Sequence, residues 1–237
     1  MSVYLSVIIP AYNEEGRIGP TLSKVYEFLR TKDYDWEVIL VDDGSSDNTV
    51  IRAQDSELAK IAKLKIINNG TNKGKGFSVK NGILNSSGEY ILFSDADLST
   101  PIEEADKLFS YIKKGCDIVI GSRSIAGADV KVHQPFYREW MGRIFNFLVN
   151  MLLIKGFNDT QCGFKLFKGN VARELGKELT VNGFCFDVEM LYLAGKKGYR
   201  IAETGIIWEN SPQSKVRVIN SSLAMFIDLF KIKRRNG

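Results

Sequence analysis

Five short apolar runs, each followed by a polar cluster, constrain this chain more than any other feature. They are Leu5-Ser6-Val7-Ile8-Ile9, Trp36 to Val41, Leu64 to Asn68, Tyr90 to Phe93 and Asp117 to Gly121. Runs this short and this continuously apolar suit strands buried on both faces, the environment of a parallel sheet covered by helices. Helical spacing follows in Ile18 to Leu29, from about Asp47, in Lys75 to Asn85 and in Pro101 to Lys113. Pro101 stands where a first helical turn tolerates proline. The alternation predicts an α/β fold with a mostly parallel central sheet flanked by helices.

After Arg123 the pattern changes. Residues 124 to 143 are polar without clear periodicity, and an aromatic-rich segment runs from Phe145 to Phe157. Phe164 to Phe167 reads as a strand, Phe186 to Lys197 as a helix and Ile201 to Trp208 as a last strand. No Pro/Ser-rich linker, repeat or low-complexity tract divides the 237 residues, so a single domain is expected.

Composition matters mainly for what it excludes. A net charge of +4 does not by itself argue for nucleic acid, and no zinc-finger, RNP or helix-turn-helix signature is present. Cys116, Cys162 and Cys185 are odd in number and contain no CxxC, which fits reduced thiols in a cytoplasmic setting. Met1 leads directly into the first strand, so no signal peptide is expected. No run approaches the roughly 18 apolar residues of a membrane span. His133 is the only histidine, which excludes HExxH zinc sites and argues against a Ser-His-Asp triad.

In parallel sheets ligands bind beyond the carboxyl ends of the strands. Four polar clusters stand there: Pro10-Ala11-Tyr12-Asn13-Glu14, Asp42-Asp43-Gly44-Ser45, Ser94-Asp95-Ala96-Asp97 and Gly121-Ser122-Arg123. Each alone also reads as an ordinary turn; four on one edge favour a site. Asp95 and Asp97, two residues apart where strand gives way to loop, can converge on a hard cation such as Mg²⁺ or Mn²⁺. Asp42 and Asp43 offer acceptors for a nucleobase edge, or a helix cap. Tyr12 offers a stacking surface, and Glu14 another acceptor. Asn72-Lys73-Gly74-Lys75-Gly76 lacks P-loop spacing, and Lys75 either approaches a phosphate or lies in a solvated turn. Lys131, Arg138, Arg143, Lys165, Lys215 and Arg217 supply cations to the second half; Arg suits phosphate through its bidentate fork.

These motifs, in this order, resemble glycosyltransferase family 2, with its GT-A fold. Asp159-Thr160-Gln161-Cys162-Gly163-Phe164-Lys165-Leu166-Phe167 and Phe186-Asp187-Val188-Glu189 narrow the resemblance to the dolichyl-phosphate β-glucosyltransferases and related polyprenyl-phosphate enzymes. The resemblance implies a nucleotide-binding half to about residue 123 and an acceptor-binding half beyond it. It implies inverting transfer from UDP-glucose, or a similar donor, to a polyprenyl phosphate whose own oxygen is the nucleophile. Pro10, Ala11, Tyr12, Glu14, Val41, Asp42, Asp43, Lys75 and Asp95-Ala96-Asp97 would form the nucleotide site, with Asp95 and Asp97 on the metal. Asp97, Arg123 and Asp187 would be catalytic. Arg123, Arg138 and Lys215 would hold phosphate, and Gln161, Asp187 and Glu189 would shape the sugar or acceptor end.

Two departures accompany the likeness. Ser99 stands where related mannose synthases carry Gln, and no N-terminal anchor of the eukaryotic glucosyl enzymes is evident. Membrane contact, at the cytoplasmic face, would rest on Ile144 to Phe157 and Leu223 to Phe230, the latter running into Lys231, Lys233, Arg234 and Arg235. The same segments also read as core helices or a homodimer interface. Alternatives for the function are a soluble family 2 transferase acting on a sugar hydroxyl, and a non-catalytic nucleotide-sugar-binding protein.

Overall fold

The computed structural model describes residues 2–132, 136–209 and 218–236, without the side chains of 137–139, 218–223 and 236. The first half runs β1 (Leu5–Ala11), α1 (Ile18–Leu29), β2 (Trp36–Asp42), α2 (Thr49–Gln54), α3 (Glu57–Lys60), β3 (Leu64–Asn68), α4 (Lys75–Leu84), β4 (Tyr90–Ser94), α5 (Glu104–Lys113) and β5 (Ile118–Ser122). The second runs β6 (Asp129–Val132), α6 (Phe136–Leu152), β7 (Phe164–Lys168), α7 (Gly169–Glu178), α8 (Phe186–Lys196), β8 (Ile201–Gly205), β9 (Ile207–Glu209) and α9 (Val218–Asn236).

Seven strands form one sheet in the order β3-β2-β1-β4-β7-β5-β8, parallel except for β7. Its strands are apolar at successive positions because both faces are covered. Leu5, Val7 and Ile9 pack with Ile18, Leu22, Val25 and Leu29 of α1 on one side. Ile8, Ile39 and Val41 pack with Val79 and Ile83 of α4 on the other. The mostly parallel, helix-flanked sheet therefore stands as expected.

Some local expectations are corrected. Helix α5 begins at Glu104, and Pro101 lies before it in a tight turn whose carbonyl accepts from Glu104 N (3.1 Å). Residues 124 to 143 are not aperiodic coil: they contain β6 and the start of α6. Within α6 the stripe Phe136, Trp140, Ile144, Phe147 and Met151 is exposed, while Phe145, Leu148, Val149 and Leu152 pack on the core. Ile201 to Trp208 is two strands rather than one. At the break, buried Ile206 donates to Ser122 O (3.1 Å) and accepts from Asp129 N (3.0 Å), passing the chain from the main sheet to the β6-β9 pair. Helix α7, not foreseen, buries only Val171, Ala172 and Leu175 beyond its glycines, a stripe too narrow to stand out.

Candidate active site

Strand order reverses between β1 and β4: β2 and β3 extend to one side of β1, and β4 to the other. The chain therefore leaves adjacent carboxyl ends in opposite directions and opens a crevice there. From the β1 side come Tyr12, 43% exposed, and Asn13, whose φ of 56° turns the chain sharply. Asn13 N donates to Ser45 Oγ (2.8 Å) and Glu14 N to Thr49 Oγ1 (2.7 Å), tying this loop to the one after β2.

From the β4 side come Asp95 and Asp97. Leu98 adopts φ 45°, a left-handed conformation costly for a branched side chain. The turn is held by Leu98 N donating to Asp95 O (3.2 Å) and Ser99 N to Asp97 Oδ1 (3.0 Å). Asp95 N donates to Gly163 O (3.1 Å), and a Cβ at position 163 would overlap the Asp95 carboxylate, so only glycine lets β7 approach so closely.

Across the crevice Arg17 clasps Glu14 through Nε (2.6 Å) and Nη2 (2.7 Å), and its Nη1 lies 4.0 Å from Asp97 Oδ2. Arg17 was not singled out by sequence reasoning; its position three residues after Glu14, on the same turn, was the available signal. Glu14, expected as a free acceptor, is engaged by that guanidinium.

Other expected contacts prove internal. Asp43 is 4% exposed, with Oδ1 accepting from Asn69 Nδ2 (2.8 Å) and Lys73 N (2.9 Å) and Oδ2 from Gly74 N (2.8 Å). It shapes the loop before α4. Asp42, fully buried, accepts from Ser45 N (3.2 Å). Val41 packs under α4, and Pro10 and Ala11 are buried in β1. Ala96 packs into the core while its carbonyl accepts from Thr21 Oγ1 (2.6 Å). Glu189 is fully buried and accepts from Thr180 N (2.9 Å), Thr180 Oγ1 (2.6 Å) and Val181 N (2.8 Å), fixing the loop before α8 rather than facing a sugar.

Lys75 does not sit in a solvated turn. Its Nζ is 2.6 Å from Asp95 Oδ1, near the rings of Phe93 (5.3 Å) and Phe184 (5.9 Å). Burial works against its charge, but Asp95, Asp187 and Asp97 outweigh that and hold the ammonium above the ordinary lysine range. Behind it lies a buried ion pair, Lys165 Nζ to Asp187 Oδ1 at 2.5 Å, with Lys165 also donating to Cys162 O (2.5 Å). Burial drives the Asp187 carboxyl above the usual carboxylate range, against the pull of Lys165 and Lys75. Lys165, expected among the cations available to phosphate, is 1% exposed and belongs to the interior.

Arg123, at the end of β5, is clamped by Asp159 through Nε–Oδ2 (2.6 Å) and Nη2–Oδ1 (2.8 Å) and lies over the Trp208 ring at 5.4 Å. Burial alone would raise the Asp159 carboxyl; Arg123 outweighs it and holds the group below its ordinary value. Glu203 orients this loop by accepting from Asp159 N (2.8 Å). Beside Arg123 opens a cavity of about 590 Å³, also lined by Val130, Arg143, Asn146, Phe147 and Gln161. Its lining includes neither Asp95 nor Asp97. Arg143, one of the cations expected for phosphate, lines this cavity, whereas Asp159 and Trp208 were not assigned site roles from sequence. The side chain of Arg138 and all of His133, Lys215 and Arg217 lie outside the described residues.

As a cation site, Asp95 and Asp97 offer two hard carboxylates on one turn, their side chains 33% and 22% exposed. No group of three or more His, Cys, Asp or Glu residues able to hold a metal occurs among the described residues. Such a pair fits a cation that completes its shell with phosphate oxygens and water.

Residues 6–176 match the sequence pattern of glycosyl transferase family 2. A dolichyl-phosphate beta-glucosyltransferase of Dictyostelium discoideum is 38% identical, the alignment covering 99% of this chain and 75% of that protein. The Homo sapiens dolichyl-phosphate beta-glucosyltransferase is 34% identical over 98% of this chain and 75% of its own length. Among solved structures, mannosyl-3-phosphoglycerate synthase from Rubrobacter xylanophilus superposes with a TM-score of 0.75 at 16% identity, covering 99% of this chain and 75% of that one. Glucosyl-3-phosphoglycerate synthase from Mycobacterium tuberculosis, in complex with Mn²⁺, UDP and glucosyl-3-phosphoglycerate, gives 0.69 at 18% identity over 98% and 80% of the two chains. At these identities the structural likeness speaks to the GT-A fold.

Proposed function

Because the chain belongs to glycosyl transferase family 2, we propose that the crevice between β1 and β4 binds a nucleoside-diphosphate sugar, with UDP-glucose as donor, and passes its glucosyl group to a polyprenyl phosphate. One observation carries this reading: Asp95 and Asp97 meet the β1 loop at the switch point, one strand system away from an arginine that borders a large cavity. The kinship with dolichyl-phosphate glucosyltransferases supports the acceptor class.

Tyr12 provides the exposed ring for the base. The buried Asp42 and Asp43 act behind it, by shaping the loops. Asp95 and Asp97 are the residues that would hold Mg²⁺ or Mn²⁺. When bound, that cation neutralises charge growing on the departing diphosphate. Arg123, pre-oriented by Asp159 and Trp208, presents its remaining donors to phosphate, and Arg143 adds a second charge at the cavity wall. The acceptor phosphate is already an anion at neutral pH, so the attack of its oxygen on the anomeric carbon requires no general base. Asp187 is a positioning group within the Lys165 pair, one layer behind Lys75.

The lipid end of the acceptor has a matching surface. Phe136, Trp140, Ile144, Phe147 and Met151 of α6, with Phe226, Ile227 and Phe230 of α9, expose large apolar side chains. Phe147 belongs both to this surface and to the cavity wall. Exposed Lys231, Lys233, Arg234 and Arg235 follow at the end of α9. No helix among the described residues is long and apolar enough to cross a membrane. We assign peripheral binding to the cytoplasmic leaflet through this face. Sedimentation with anionic vesicles tests it: wild type co-sediments and Phe147→Glu does so about tenfold less well. A dimer that hides the face, with no vesicle binding, would overturn it.

The activity is tested by incubating the protein with labelled UDP-glucose, Mn²⁺ and polyprenyl phosphate. Label is expected in the organic phase as an acid-labile glycolipid. Absence of lipid product with every common UDP- and GDP-sugar would sink the proposal, and transfer to a soluble sugar instead would move the protein to the polysaccharide-building members of the family.

A further inference from the structure

Two cations of the protein itself stand at the carboxylates assigned to the metal. Lys75 Nζ occupies Asp95 Oδ1 at 2.6 Å, and Arg17 Nη1 lies 4.0 Å from Asp97 Oδ2. We propose that Lys75 is an internal counter-ion that competes with the divalent cation for Asp95, so that metal binds tightly only together with the donor's diphosphate. This rests on the reading of Asp95 and Asp97 as the metal pair.

Lys75 is fixed for this task by its backbone. Gly74, at φ 102°, leads into α4, and a Cβ there would overlap Asn182 O. Gly76 N donates to the same Asn182 carbonyl (2.7 Å). Two buried carboxylates brace the two sides of this contact: Asp43 holds Lys73 N and Gly74 N, and Glu189 holds Thr180 and Val181. The ammonium is thus delivered near the rings of Phe93 and Phe184. With Lys165 already on Asp187, Asp95 is the carboxylate that bonds it.

A metal that takes Asp95 therefore leaves a partly buried ammonium without its anion, which is costly. A diphosphate arriving with the metal supplies replacement oxygens. Binding of the two becomes thermodynamically coupled, and the coupling is reciprocal. The same arrangement holds the Asp95 carboxylate in place before either ligand arrives.

The test measures free Mn²⁺ by electron paramagnetic resonance, with and without UDP, in the whole protein without acceptor. In wild type, UDP is expected to tighten Mn²⁺ binding at least about tenfold. Lys75→Met should bind Mn²⁺ alone about tenfold more tightly than wild type, with the further tightening by UDP smaller than in wild type. Lys75→Arg should behave like wild type. Lys75→Gln serves as the neutral variant if Lys75→Met does not fold, as judged by circular dichroism. Mn²⁺ binding in the neutral variant that is no tighter than wild type, or coupling to UDP that is unchanged, overturns the proposal. If UDP binds none of the proteins, the donor reading fails, while the metal-only comparison still decides the role of Lys75.

Discussion

Two acidic pairs end the parallel strands β2 and β4 that flank β1, on the same edge of the sheet, and the protein uses them oppositely. After β2, Asp43 is buried and receives three internal donors, two of them backbone N–H groups. After β4, Asp95 and Asp97 remain partly exposed and each meets a side-chain cation: Lys75 bonds Asp95, and Arg17 lies 4.0 Å from Asp97, which also accepts from Ser99 N. Backbone donors cannot leave without unfolding a loop. A lysine or arginine can exchange one anion for another at modest cost. The partners of a carboxylate, more than its position on a strand end, thus separate scaffold from site.

That contrast can be broken most sharply at Asp97. Asp97→Ala is expected to lower turnover on the order of a thousandfold while shifting the melting temperature by under about 3 °C. A steady-state assay paired with calorimetry checks both; a large loss of stability would place Asp97 with the scaffold. Asp43→Ala should do the reverse. It strands the amides of Lys73 and Gly74 and one N–H of Asn69 Nδ2, which keeps its bond to Ser78 Oγ, and should cost on the order of 3 kcal/mol in urea unfolding. A variant of unchanged stability would show that water or another acceptor replaces the carboxylate.

Asp159 sharpens the comparison from between the two cases, being buried yet bonded to a site cation. Its folded carboxyl lies below the ordinary value because Arg123 overcomes the effect of burial. Its stabilisation is therefore complete above the unfolded value near 3.9 and is lost as pH falls through the lower folded value. Urea unfolding at pH 6 and pH 3 should show less acid sensitivity in Asp159→Asn than in wild type, an effect smaller than those above. Equal acid sensitivity would mean that the pair contributes little.

Much of the first half was legible before any coordinates. Helix α1 and strand β3 fall at the expected residues because period and apolar content agree there. The Asp95/Asp97 turn was legible because a strand end forces the chain toward one edge. Arg17, Asp159 and the buried Lys165 were not assigned such places, since each acquires its role from a partner in another segment: Asp97, Arg123 and Asp187 respectively. Helix α6 was legible from Ile144 onward as an apolar amphipathic segment, but its first turns, Phe136 to Arg143, lie in a stretch without clear periodicity.

The sequence by itself determined the family, the parallel sheet and the edge on which chemistry would collect, because those follow from local periodicity and ordered motifs. Tertiary structure alone decided which acidic residues remain reachable. It buried Glu189 against Thr180 and Val181, set Asp187 on Lys165 and left Asp95 to Lys75. Burial and hydrogen-bond partners are properties of segments brought together, and for a carboxylate those two quantities decide whether it builds the fold or serves the site.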